Sequence, residues 1–229
     1  LAVSSIDFQG SVYSGISASG SFINNTLNCR LESSDPSLQL SLDAGAGPGD
    51  DGSTRLRAAG TIAGIDLRKL KIDPRDGVSR IGLNINADVS LKGDEVNGYA
   101  RLNGIQVENG AGRSDIGDIA LKAYTHDGRQ HFNFNSPFAD LSFCGTASVG
   151  EFIGDLQDIS LHRHLPSLYA AADTSDLKSA DYEIEATFHD TRKLLSFVMP
   201  GLYIADSTRF SLAVENDVML GASLSSSRL

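Results

Sequence analysis

The sequence predicts an all-β fold made mainly of antiparallel strands. Apolar residues occupy every second position in segments such as 38–42, 83–91, 141–149 and 210–214. This alternation is typical of strands that have one apolar and one polar face. Glycine is frequent, with 23 of 229 residues, and short turn signals separate most of these segments, which favours a series of hairpins.

The first third of the chain contains several strand patterns that are interrupted by glycine. Gly10, Gly15 and Gly20 recur at intervals that suit tight bends or close contacts between strands. The strands expected here are two within 6–23, then 27–31, 38–42, 55–59 and 61–70. We expect a turn at 33–36 and a loop at 45–52, because proline, glycine and aspartate cluster there.

The middle of the chain has the clearest hairpin signals. Strands 80–92 and 97–107 alternate about a turn at 93–95, and Asp127-Gly128 joins strand 119–125 to strand 130–135. A further strand is expected over 139–149. Hairpins in succession make neighbouring strands antiparallel.

The last part of the chain includes the best helix. Asp190 or Thr191 can cap a helix over 190–199, and Pro200-Gly201 ends it. Segment 156–169 has too few β-branched residues for a strand, so we expect irregular chain or a helical turn. The strands expected here are 182–188, 209–215 and 218–224.

The composition argues against two classes of partner. The formal net charge is −10 and the sequence pI is about 4.8, so nucleic acid and anionic membrane surfaces would repel the chain. No apolar stretch approaches the 18 residues of a membrane-spanning helix. Because the chain opens at Leu1, we expect a fragment, 1–229, of a longer repetitive β-rich domain, with possible sub-units 1–155 and 156–229 and with any membrane anchor outside it.

The two cysteines do not have the spacing of a metal site. Cys29 shares the alternation of Leu27 and Leu31, which predicts a small core side chain. Cys144 has the opposite alternation to Phe143 and is expected to face outward. The sequence leaves open whether the two cysteines form a disulfide.

No catalytic motif is found, so we predict a protein that is not an enzyme and needs no cofactor. The glycine pattern at 47–52 is interpreted as a turn, since two aspartates would face a phosphate there and no helix follows; a calcium loop is a less favoured alternative. His162 and His164 could begin a zinc site, but surface histidines are the simpler interpretation. No pair of carboxylates can be nominated for a carbohydrate hydrolase.

An apolar sheet face needs a cover. The single modest helix is too small to supply it, so the sheet must close into a sandwich or remain an open, U-shaped trough. Inward residues are mostly Leu, Ile, Val, Ala and Gly, which leaves width for a guest molecule. An acyl chain of about sixteen carbons would gain on the order of 10 kcal/mol by leaving water, at about 0.8 kcal/mol per methylene. Periodicity alone does not separate the two arrangements.

Three segments carry a resemblance to a known family. Segment 135–145 (NSPFADLSFCG), followed by 154–156 (GDL) and 165–166 (LP), resembles the repeat region of TamB proteins of the Bacteroides group. Segment 194–205 (LLSFVMPGLYIA) also resembles that family, and 60–70 (GTIAGIDLRKL) is similar to AsmA-like repeats. The resemblance spans about residues 60 to 215.

The resemblance implies an elongated curved sheet, called a β-taco, whose apolar groove carries phospholipid acyl chains between the inner and outer membranes of Gram-negative bacteria. It also implies a periplasmic location, an inner-membrane anchor outside this chain and support for outer-membrane protein assembly. An outer-membrane partner of the Omp85 type would bind a region outside this chain. An exposed groove or sheet edge could also make the fragment dimerise.

We therefore predict a lipid-transfer segment. The alternative is a closed β-sandwich interaction module that acts by β-strand augmentation. The residues expected to face the groove share the apolar alternation of their strands. They are Leu83, Ile85, Val89, Leu91, Leu102, Leu121, Phe132, Phe134, Leu141, Phe143, Ile184, Phe188, Phe210, Leu212 and Leu220.

Overall fold

The computed structural model of the chain describes residues 2–8, 10–73, 77–110, 112–146, 181–198, 202–215 and 218–226. The described strands form one curved, open sheet in which each strand pairs antiparallel with its neighbour in sequence. The thirteen strands are β1 (Ala2–Phe8), β2 (Ser11–Ile23), β3 (Thr26–Asp35), β4 (Leu38–Pro48), β5 (Thr54–Asp66), β6 (Ser79–Lys92), β7 (Glu95–Asn109), β8 (Gly112–His126), β9 (Arg129–Asn135), β10 (Ala139–Gly145), β11 (Tyr182–Phe188), β12 (Arg209–Glu215) and β13 (Val218–Ser225). The predicted all-β, antiparallel class is confirmed.

Two of the hairpins have tight turns made of residues that tolerate positive φ. Asn24 and Asn25, between β2 and β3, have φ of 50° and 58°. Asp127 and Gly128, between β8 and β9, have φ of 50° and 72°. A turn with two consecutive residues of positive φ matches the right-handed twist of the flanking strands. The two turns therefore hold β2 in register with β3, and β8 with β9.

The predicted break in the strand pattern at residue 60 is wrong. β5 is one continuous strand rather than two, and Gly60 is required by a close approach: a Cβ there would lie 2.1 Å from the Ser41 carbonyl oxygen. The predicted loop 45–52 is shorter than expected, because β4 continues to Pro48. Glycine in these strands allows close backbone packing and does not end them.

Other boundaries also differ. The turn expected at 33–36 begins later, since β3 continues to Asp35, and β8 begins at Gly112, earlier than the predicted 119. β10 ends at Gly145 within the described residues. The predicted segment 156–169 and the sub-unit boundary at 155/156 lie outside the described residues.

The predicted helix is present as α1 (Arg192–Val198). The Asp190 carboxylate accepts a hydrogen bond from the backbone N–H of the first helical residue, 3.3 Å away. Phe197 packs the helix against β7 and β8, where it contacts a buried cluster of Ile105, Val107 and Ile116. The helix therefore covers one end of the apolar side of these two strands.

A band of β-bulges crosses β4 to β8 at one level of the sheet. The register shifts near residues 39–40, 62–65, 82–84 and 102–106, at neighbouring positions on adjacent strands. Each bulge bends its strand and increases the local twist. Because the bulges are aligned, they bend five neighbouring strands together and contribute to the curvature of the sheet.

A second buried cluster lies at β10 to β12. The buried side chains of this cluster come from three adjacent strands, and they are Phe143, Tyr182, Ile184, Leu212 and Val214. Phe143 is 1% exposed and its ring centroid lies 6.1 Å from that of Tyr182. These side chains form a hydrophobic core at this end of the sheet.

Replacing Phe143 by alanine should therefore destabilise the protein strongly. We expect Phe143→Ala to lower the free energy of unfolding by about 3–5 kcal/mol, since it empties a buried site. Phe22→Ala is the matched control; Phe22 is 69% exposed, so its change should stay below about 1 kcal/mol. Urea denaturation followed by circular dichroism measures both, and equal losses would contradict this assignment of the core.

Candidate functional site

The register divides the sheet into an apolar face and a polar face. Residues directly opposite each other in adjacent strands point to the same side. The pairs Ile85–Leu102, Leu121–Phe134 and Ile184–Leu212 therefore share one face, which we call the apolar face. The structure places every predicted groove residue on this face except Leu220, which falls at the register irregularity between β12 and β13.

The predicted groove residues differ in burial. Phe143, Ile184 and Leu212 are buried against other side chains of the protein, so the space on the apolar face is occupied at these positions. Leu220, on the edge strand, is 64% exposed. The remaining residues are half-buried, and they are Leu83, Ile85, Val89, Leu91, Leu102, Leu121, Phe132, Phe134, Leu141, Phe188 and Phe210.

The largest exposed part of the apolar face was missed by the sequence analysis. Phe22, Leu27, Leu31 and Leu56 lie on β2, β3 and β5, on the same face as the predicted residues, and all are exposed. Glycine, serine and alanine interrupt the alternation of these strands, which weakened the pattern. The face is therefore open to solvent at β2 to β5.

A row of small side chains runs across this open part. Successive register pairs connect one residue from each of β2 to β7, and these residues are Gly20, Cys29, Ala44, Ala58, Ala87 and Ala100. Five steps between strands of about 4.8 Å make the row about 24 Å long. From β8 onward the same row continues mostly with large side chains, beginning with Leu121 and Phe134.

Larger side chains flank the row of small ones. Leu56 and Val89 form a pair on one side of it, and Leu31 and Leu42 form a pair on the other. A shallow cavity of about 630 Å³ lies at this level on the opposite, polar face: the side chains that line it, such as Arg57, belong to the polar alternation, and the flanking leucines and valine of the apolar face are not among its lining residues. We call the small row with its flanking side chains the trough.

One end of the apolar face carries a buried polar clasp. The connection after β5 brings Lys69 over β2 and β3, where its ammonium lies 3.6 Å from the Asp35 carboxylate and 4.7 Å from the centroid of the Tyr13 ring. The Ser11 hydroxyl donates to the Lys69 carbonyl oxygen at 2.9 Å. The clasp ties this connection to the first strands and covers the apolar face there.

The Asp35 carboxylate is ionised within this clasp. Burial raises its pKa, but hydrogen bonds from the backbone N–H groups of Ser14 and Ser37, and the positive charge of Lys69, together hold the pKa below its usual value. The two N–H donors lie 2.8 Å from the carboxylate oxygens. The clasp is therefore a charge-assisted contact at neutral pH.

Candidate metal ligands do not cluster in the described residues. No group of three or more His, Cys, Asp or Glu side chains among them is arranged to hold a metal ion, and His162 and His164 lie outside the described residues. At the turn after β4, the Asp51 carboxylate accepts a hydrogen bond from the backbone N–H of Ser53. Within the described part of the chain, no helix is long and apolar enough to cross a membrane.

Both cysteines are free thiols. Cys29 is exposed, so the prediction of a core position is wrong, although its alternation with Leu27 and Leu31 is correct. The reason is that the clasp covers only the Asp35 end of β3, and nothing else in the described structure covers the apolar face at Cys29. Cys144 lies opposite His131 and Glu183 on the polar face, as predicted.

Fold and site define a protein built on one open, curved antiparallel sheet with a partly exposed apolar face. Comparisons with known proteins add no name to this description. No protein-family model, curated protein or solved structure matches the chain.

The clasp gives a pH-dependent contribution to stability. Because the pKa of Asp35 is lower in the folded state than in the unfolded chain, its stabilising effect is complete above the unfolded value of about 4 and is lost as the pH falls through the folded value. We expect Asp35→Asn to cost about 2 kcal/mol at pH 7, since it removes a buried charge from its partners.

The stability difference between the wild type and Asp35→Asn should begin to shrink below about pH 4 and disappear as the pH falls through the folded-state pKa of Asp35, as measured by urea denaturation at several pH values. Asp94→Asn, in an exposed turn, is the control and should change stability by less than about 0.5 kcal/mol. A constant difference between Asp35→Asn and the wild type from pH 7 to pH 2 would exclude this role of the carboxylate.

Proposed function

We propose that this chain is a non-enzymatic segment of a periplasmic lipid-transfer protein whose trough holds phospholipid acyl chains. The observation that supports the proposal is the exposure of apolar side chains along one face of β2 to β5, beside a row of small ones. Large exposed apolar patches are uncommon on soluble proteins unless something binds them. The resemblance to TamB and AsmA-like repeats points to the same ligand.

The dimensions of the trough fit one acyl chain. The row of small side chains is about 24 Å long, whereas the hydrocarbon core of a bilayer, which contains two chains end to end, is about 30 Å thick. A chain lying along the row would contact the flanking leucines on both sides. In an open trough it would lose part of its water contact, so the gain would be a fraction of the 0.8 kcal/mol per methylene of full burial.

The head group would remain in water at the open side of the trough. Apolar contact alone would then supply the affinity, and lipids with different head groups would bind similarly. Transfer between the two membranes, and support of outer-membrane protein assembly through an Omp85-type partner, would depend on parts of the protein outside this chain.

The test is lipid recovery from the chain purified from a Gram-negative periplasm. Ala58 lies in the row of small residues, and its neighbour Ala59 lies on the polar face. We expect Ala58→Asp to reduce phospholipid recovered by solvent extraction and mass spectrometry at least about tenfold, because a charge in contact with acyl chains costs more than the 1.4 kcal/mol of a tenfold change.

Ala59→Asp adds the same charge one residue away and should leave lipid recovery unchanged. Circular dichroism of both variants checks that the sheet is intact. If the wild type carries no phospholipid, or if both variants retain it equally, the trough is not the lipid site.

A second function is favoured by the sheet edges. β1 and β13 are the outer strands of the described sheet, and Leu220 and Leu224 on β13 are exposed. An edge strand with apolar side chains can pair with another extended chain. This interaction module would not require the closed sandwich that was predicted with it, since the described strands form an open sheet.

The edge function has its own test. Lysine on an edge strand opposes pairing, so the double variant Leu220→Lys, Leu224→Lys should weaken binding of extended outer-membrane strand peptides by at least about tenfold if β13 is the docking edge. Fluorescence anisotropy measures the binding. Ala58→Asp serves as the control, because it leaves the edge unchanged; loss of peptide binding in this control alone would assign the peptides to the trough.

A further inference from the structure

The polar face of β8 to β11 brings a thiol and an imidazole together. Cys144 on β10 lies directly opposite His131 on β9, and its Sγ atom is 3.9 Å from the His131 Nε2 atom. The alternation that turns Phe143 into the core turns Cys144 away from it. This pair therefore lies on the other side of the sheet from the trough and has no part in the proposed lipid site.

The imidazole is held in place by a third side chain. The ring of Tyr124 on β8 stacks on His131 with centroids 4.7 Å apart and planes 4° from parallel. The Lys122 ammonium lies 5.0 Å from the Tyr124 ring centroid. A nucleophile beside a base that another group orients is the arrangement that activates cysteine in proteins.

A carboxylate flanks the thiol on the polar face. Glu183 on β11 lies opposite Cys144 on the same face. This carboxylate repels anions, so it would select an uncharged reaction partner over an anionic one. His126 is near, with its ring centroid 6.4 Å from that of His131.

We propose that Cys144 is a modification site that exchanges with disulfides, with His131 as its base. His131 takes the thiol proton while Sγ attacks one sulfur of the incoming disulfide. A new S–S bond forms to Cys144, the old S–S bond breaks, and the departing thiolate takes up a proton. The partner is an uncharged disulfide, and the product is a mixed disulfide on the polar face.

The other cysteine supplies an internal control. Cys29 is the more exposed of the two thiols, so accessibility alone predicts that it reacts faster. Activation by His131 predicts the opposite order, with Cys144 reacting faster than Cys29. Cys29→Ser and Cys144→Ser each leave one thiol, and release of thiopyridone from uncharged 4,4′-dithiodipyridine measures the rate of each.

We expect Cys144 to react at least about tenfold faster than Cys29. His131→Gln in the Cys29→Ser background should lower the Cys144 rate at least about fivefold, whereas His126→Gln should leave it within about twofold. In urea the two thiols should react at similar rates. If Cys29 reacts as fast as Cys144 in the folded protein, or if His131→Gln leaves the rate unchanged, the proposal is wrong.

A measurement on the wild-type chain does not depend on the folding of any variant. One equivalent of the same reagent is added, and peptide mass spectrometry locates the mixed disulfide. Modification mainly at Cys144 supports the proposal, and modification mainly at Cys29 or in equal amounts overturns it.

Discussion

The structure depends on one constraint: every described strand pairs with its neighbour in sequence, and the described strands form a single sheet. Such a sheet has a complete hydrogen-bond ladder but leaves an apolar face to be covered by other means. At β9 to β12 large side chains pack against one another, and at β7 and β8 helix α1 covers the face through Phe197. At β2 to β5 the described chain covers the face at the Lys69 clasp, and Phe22, Leu27, Leu31 and Leu56 stay exposed.

Side-chain size, more than the alternation pattern, separates the filled half from the open half. One row of register pairs runs from Gly20 through Ala44 and Ala58 and reaches Phe134 and Leu141 in the same line. The apolar alternation is the same at both ends of this row. The methyl groups of alanine leave space above the strand, whereas aromatic rings fill it, so one continuous sheet combines a packed interior with a trough.

The alternation made the fold class and the orientation of side chains predictable. Strands such as β6 and β7 carry long regular patterns and a short turn, which set their register, and the register then placed the predicted groove residues on one face. Exposure was not predictable, because it depends on what covers a face: Cys29 and Phe143 have equally apolar settings in sequence but opposite burial.

Contacts between distant parts of the chain could not be predicted from the sequence either. Asp35 was expected in a turn, but it is a buried partner of Lys69, which lies on the connection after β5. The bulges of β4 to β8 align only when neighbouring strands are in register, and no single strand shows that alignment. Likewise, Gly60 was predicted to interrupt a strand, but only its contact with β4 reveals that it continues one.

The net charge of −10 places a further condition on the proposed function. The phosphate of a phospholipid is repelled by an acidic chain, but this repulsion is screened beyond about 8 Å at physiological ionic strength. Apolar contact falls off within a few ångströms, so an acyl chain in the trough gains its stabilisation without bringing the head group against the protein. An acidic protein can therefore hold such a lipid by its tail, provided that the trough stays open to water on the head-group side.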